Sequence, residues 1–255
     1  MLVAASDPRA LWYATRGFGL VDLVLLTLTV ALGVAQVARY TRPGWPRFLI
    51  SGLHRNVSLL AVVLLGVHIA TAVADPYAPI GVVDVFVPFV SRYRPVWLGL
   101  GALASDLVVA LVVTSLVRDR MGQRTWRAIH WCAYGCWPVA LVHSLGTGTD
   151  SRLGWVQLLY VGCAAIVLAA IAWRLTSRWT AAAPAYRVGA ATVALVAVAG
   201  VGAWSAQGPL KAGWARRAGT PATLLHPSGK TNKRAPDATT HLSHGSTTPA
   251  ARPRP

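Results

Sequence analysis

The chain has 255 residues, 55% hydrophobic and only 13% charged, with a formal net charge of +16. A soluble domain carries about 25% charged residues, so the composition excludes an ordinary soluble globule and points to a membrane protein whose main partner is the lipid bilayer. Nucleic acid is not implied by the positive charge, because the arginines cluster between hydrophobic runs, where they fix topology, and the other basic residues lie near the C-terminus.

Residues 1–16 form an N-terminal segment that carries Arg9 and Arg16 against Asp7. It lacks the basic region and small-residue cleavage site of a signal peptide, so the first apolar run reads as a retained span. A spanning helix needs about 20 largely apolar residues. Six segments qualify, at roughly 17–38, 54–74, 96–117, 129–147, 154–174 and 185–206. The fourth is the least hydrophobic, because it holds His130, His143, Cys132, Cys136 and Pro138. The expected fold is all-α: a polytopic helical bundle over residues 17–206, with short loops that favour antiparallel neighbours.

Charge sets the expected orientation. The loops that contain Arg39, Arg42 and Arg47, then Arg118, Arg120, Arg124 and Arg127, then Arg178 alternate with neutral ones. By the positive-inside rule, loops 39–53, 118–128 and 175–184 are cytoplasmic and both termini lie outside, in a cell membrane. Trp12, Trp45, Trp97, Trp126, Trp155, Trp173, Trp179 and Trp204 fall near span ends, as an interfacial aromatic belt would. From residue 207 to 255 the composition turns to Pro, Thr, Ser, Gly, Ala and basic residues, which predicts a disordered tail. Its His226, His241 and His244 are a weak metal signal.

Four histidines lie inside apolar segments: His54 and His68 in the second span, His130 and His143 in the fourth. Ionisable groups at membrane depth are costly and mark function. At 1.5 Å of rise per residue the first two are about 21 Å apart and the second two about 19.5 Å. Both spans start on the same side, so His54 and His130 share one depth and His68 and His143 another. Two matched levels make two bis-histidine sites, the arrangement of axial heme ligands; a closed zinc site would gather four ligands in one cluster. Rotation fits less well. His68 returns to within about 40° of His54, but His143 stands about 140° from His130 on an ideal helix, with Pro138 between them as a source of distortion.

The spacing His54-x13-His68 and His130-x12-His143 resembles the ferric reductase-like transmembrane domain, the group that includes NADPH oxidases, metalloreductases and the heme subunit of bacterial methionine-sulfoxide repair. The text Arg124-Thr-Trp126-Arg127-Ala-Ile-His130 and His143-Ser-Leu-Gly-Thr-Gly-Thr-Asp150 agrees with it, and Asp75-Pro76-Tyr77-Ala78-Pro79 through Tyr93-Arg94-Pro95 is similar to the outer loop of actinobacterial members. The resemblance covers about 17–175. It implies two b-type hemes, held by His54 with His130 and by His68 with His143, that move electrons across the membrane. Oxidases of this group continue into a flavin- and nicotinamide-binding module that this chain has no room for. The resemblance therefore implies a separate flavoprotein reductase or a membrane quinol as donor, with ferric iron, dioxygen or an outer redox protein as acceptor. Gly99-Leu-Gly101-Ala-Leu-Ala104 sits within an apolar span with no strand before it, so it is no dinucleotide turn; close helix packing explains it better.

Arg55 and Arg127 adjoin the inner histidines and suit heme propionates, with topology-setting charge as the equal alternative; Arg92 and Arg94 would serve the outer level. Asp22 and Asp106 lie within spans one and three, where they would orient a histidine, carry protons or bond a neighbouring helix. Cys132 and Cys136 read as apolar filler. The sequence thus points to a transmembrane cytochrome b and membrane oxidoreductase. The rival is a non-redox transporter or metal-ion channel with the histidines along a polar path; it would show internal repeats or interrupted helices and would be colourless.

Overall fold

A computed structural model describes residues 8–37, 46–148, 150–177 and 184–225. Among the described residues the chain is helical, without strands. In chain order the elements are α1 (Pro8–Val37), α2 (Arg47–Ala74), α3 (Val82–Phe86), α4 (Pro95–Leu116), a 3-10 turn (Arg118–Arg120), α5 (Gln123–His130), α6 (Ala133–Thr147), α7 (Gly154–Ser177), α8 (Pro184–Gln207), α9 (Trp214–Arg217) and α10 (Ala222–Leu225). Five of them, α1, α2, α4, α7 and α8, are long and apolar enough to cross a membrane. The expected all-α multi-pass bundle is what forms.

The fourth expected span differs. Residues 129–147 do not make one helix: α5 ends at His130, and α6 has only 15 residues. Between them the backbone tightens, with Trp131 N–H donating to Ala128 O, Cys132 to Ile129, Tyr134 to Trp131 and Gly135 to Cys132, at 2.9–3.3 Å. These are i to i−3 bonds, and each residue in such a turn advances about 120° rather than 100°. Trp131 N–H is shared with Arg127 O at 3.2 Å, so three such residues add about 60° of rotation, which removes part of the mismatch between His130 and His143. Pro138 stays inside α6, but with no N–H it leaves the Tyr134 carbonyl without its helical donor, at the end of that tight stretch.

The N-terminal boundary also moves. Residues 8–16, expected to stand apart from the first span, are its opening turns. Residues 1–7 lie outside the described residues.

α1 runs beside α2, α4 packs chiefly on α6, and α7 lies against α1. The main core, Leu23, Trp137, Leu141, Leu145, Val156, Tyr160, Cys163 and Val167, fills the space between α1, α6 and α7. A smaller cluster, Ala104, Val108 and Cys136, closes α4 on α6. Cys136 lies in that seam with Sγ 3.5 Å from the Ala104 carbonyl, which is the filler role expected of it. Trp137 donates its indole N–H to Thr27 Oγ1 at 2.9 Å, and Thr27 donates to Leu23 O at 2.8 Å, so a polar pair deep in the bundle is internally satisfied. Large apolar side chains remain exposed on α2 (Leu59, Leu60, Val63) and α8 (Val193, Leu195, Val196), the surface a hydrocarbon solvent covers.

The tail boundary at residue 207 is corrected. Residues 208–225 fold back onto the end of the bundle. Trp214 donates to Gly146 O at 2.9 Å and meets Trp97 and Trp204 with ring centroids 5.3 and 6.0 Å away. Arg94, 1% exposed and left-handed at φ 46°, donates through Nε to Thr220 Oγ1 at 2.9 Å and through Nη1 to Thr147 O at 2.6 Å. These contacts supply what the composition alone could not show. Trp97 and Trp204, expected in a lipid-facing belt, belong instead to this aromatic cluster. Trp126 stacks on His130. Trp155, 60% exposed, keeps the belt position. Trp45, Trp179 and residues 226–255, with His226, His241 and His244, lie outside the described residues, as do 39–45 and 178–183 of the expected loops 39–53 and 175–184, while residues 47–53 belong to α2.

Candidate functional site

A cavity of about 220 Å³ opens between α1, α2, α4 and α6 under the 75–85 connection, and both His68 and His143 line it. Their ring centroids lie 6.5 Å apart, and the ring planes make an angle of 83°. His54 lies fourteen residues before His68 on α2, and His130 closes α5, thirteen residues before His143. His68 and His143 are thus neighbours in the fold.

Three of the four rings are held in the same way. His68 Nδ1 lies 2.8 Å from Thr15 O, His54 Nδ1 3.0 Å from Thr29 O, and His143 Nδ1 2.8 Å from Trp97 O. A carbonyl only accepts, so Nδ1 carries the proton in each and Nε2 keeps its lone pair. Each carbonyl stands one helical turn before a glycine: Thr15 before Gly19, Thr29 before Gly33, Trp97 before Gly101. A Cβ at Gly19 would fall 3.1 Å from His68 Nδ1, one at Gly33 3.4 Å from His54 Cε1, and one at Gly101 2.5 Å from His143 Nδ1. Helix packing around Gly99 and Gly101 is as close as the sequence suggested; a Cβ on Gly99 would meet Phe89.

His130 is held differently. It closes α5, stacks on Trp126 at 4.9 Å and 22°, and its buried Nδ1 has no hydrogen-bond partner among the described residues.

The other expected residues scatter. Arg55 and Arg127 are exposed beside the His54 level, and Arg92 is exposed. Arg94, expected to serve the His68 level, is instead committed to the carbonyls of Gly146 and Thr147 and to Thr220. Burial holds its guanidinium below the usual arginine pKa, against the opposing pull of Tyr93. Asp22 and Asp106 do not orient His54, His68 or His143, whose second nitrogens take backbone carbonyls. Asp22 is 5% exposed, lines the cavity and leaves Oδ1 without a partner among the described residues. Cys132 is exposed.

Two features escaped the sequence. Arg16, in the cavity wall, bridges to Asp150 at 2.9 Å across 134 residues and stacks on Trp12 at 4.2 Å. The glycine braces left one readable trace: Gly19 and Gly33 are fourteen positions apart, as are His54 and His68, which is what antiparallel partners require.

Residues 18–142 match the family described as ferric reductase like transmembrane component. The match takes in His54, His68 and His130, stops one residue before His143, and is shorter than the expected 17–175. Members are typically heme-binding transmembrane components that work with a separate redox partner, which suggests a membrane redox role and oxidoreductase activity. No curated protein and no solved structure gave a match.

The residues present fit a heme iron. Two imidazoles bound to one metal ion at about 2 Å each would have centroids about 6 Å apart, near the 6.5 Å between His68 and His143, which would hold the group. The Nδ1 protons are spent on carbonyls, so the free lone pairs are the Nε2 ones, and the lining combines Leu20, Leu23, Leu65 and Ala140 with polar groups that include Arg16, Asp22 and Ser144.

Proposed function

We propose that this chain is the heme-carrying subunit of a membrane oxidoreductase, a cytochrome b that conducts electrons between the two faces of the membrane. His68 and His143 hold one b-type heme, and His54 and His130 hold the other. The observation that carries the reading is the pair of His68 and His143 rings opposed at 6.5 Å across a cavity. Bound heme supplies one-electron redox chemistry.

The protein's own contribution is to bind and orient. The Thr15, Thr29 and Trp97 carbonyls fix three tautomers and ring directions. Packing of α1, α2, α4 and α6 frames the cavity at the His68 level. Arg55 and Arg127, exposed at the His54 level, are placed to meet propionate carboxylates. The arginines of loop 118–128 put that level on the cytoplasmic side, and with α5 and α6 together as a sixth crossing both termini lie outside. A separate flavoprotein reductase or a membrane quinol is the donor. The acceptor is ferric iron, dioxygen or a redox protein on the outer side. A reduced-minus-oxidised absorption spectrum of membranes tests the reading: a b-type signal supports it, and colourless protein from heme-replete cells refutes it.

A further inference from the structure

The four histidines are not held equally. Around His68 and His143 both rings are tied to a carbonyl one turn before a glycine. At the other level His54 is tied in this way, and His130 Nδ1 has no such partner among the described residues. The reason lies in α4. Fourteen positions beyond Trp97, where α1 would offer its second brace, stands Leu111. The Thr114 hydroxyl already donates to the carbonyls of Ala110 and Leu111, at 2.7 and 3.2 Å. The position four beyond Leu111 is Ser115, not glycine, so a Cβ projects where Gly101 leaves room.

We infer that Gly19, Gly33 and Gly101 are positioning residues that let a neighbouring helix's carbonyl grip an axial histidine, and that the His68–His143 level is braced on both sides while the His54–His130 level is braced on one. This rests on the heme reading above. A ligand's hydrogen bond to a second group fixes ring orientation and raises ligand basicity, and its loss weakens metal retention by about ten- to a hundredfold. An alanine at Gly101 has no room: its Cβ would lie 2.5 Å from Nδ1 of a ring fixed by packing. At Gly33 the same change meets His54 Cε1 at 3.4 Å, which a small shift relieves. Gly66 and Gly162 have nothing within 4 Å and serve as controls.

The test uses the full chain in heme-replete membranes and reads heme per protein, heme loss to an apo-globin acceptor and the low-spin electron paramagnetic resonance signals. In the wild type the His54–His130 heme should leave first. Gly19→Ala and Gly101→Ala should each release the His68–His143 heme about ten- to a hundredfold faster while the other signal persists, which also reports a folded bundle. Gly33→Ala, the mildest change, should keep both hemes and shift only the His54–His130 signal. Gly66→Ala and Gly162→Ala should match the wild type. Unchanged signals and release in all three brace variants would overturn the inference, as would earlier loss of the His68–His143 heme from the wild type. A wild type without heme would instead refute the functional reading.

Discussion

The His143 ring donates to the Trp97 carbonyl, faces Gly101 and looks across the cavity at His68. Its identity as a site residue was legible in the sequence, because a histidine within an apolar run is expensive. Its partners were not, because a backbone carbonyl leaves no mark in the sequence and a glycine marks many things besides a close approach. Arg94 shows the opposite error: its charge suggested a ligand contact, and the fold uses it to tie α4, the end of α6 and residue 220 together. Thr27 and Trp137 offer a test of satisfaction at depth. Thr27→Val leaves the buried Trp137 N–H without an acceptor and should cost about 1–3 kcal/mol, measured as a lower thermal transition in detergent. Thr27→Ser keeps the acceptor and should lose much less.

Helix existence was readable from apolar length, as five spans show. The break between α5 and α6 was not, because it depends on the balance between i−3 and i−4 bonding over residues 128–135. The sequence suspected Pro138, while the rotation comes from the turn just before it. Pro138→Ala restores a donor for the Tyr134 carbonyl and should straighten this stretch, which turns His130 away from His54. The expected result is loss or spectral change of the His54–His130 heme with the His68–His143 heme retained. Residues 208–225 were misread because composition counts large apolar side chains, and a few tryptophan, arginine and carbonyl contacts suffice to seat them. Trp214→Ala removes a ring stack and the hydrogen bond to Gly146 O. It should lower stability by about 2 kcal/mol, seen as an earlier thermal transition and faster proteolysis after residue 207.

As a whole, the molecule sets two helix pairs, α1 with α2 and α4 with α6, so that second-helix histidines reach first-helix carbonyls. The outward faces of α2 and α8 stay apolar, as a multi-pass protein in lipid requires. Fold class and family were readable at this scale because composition, span length and histidine spacing are global patterns. The pairing of Arg16 with Asp150 was not, because it joins residues 134 apart in sequence. Our orientation makes loop 118–128 cytoplasmic, so a cysteine placed at Arg124 in an otherwise cysteine-free chain should resist a membrane-impermeant thiol reagent in whole cells and react in inverted vesicles. The central claim is the pair of bis-histidine levels, and the most direct measurement is the heme content and reduced-minus-oxidised spectrum of the wild type beside the double variant His68→Ala, His143→Ala. The account predicts about two b-type hemes per chain in the wild type and about one in the variant; a colourless wild type, or a variant with unchanged heme, would contradict it.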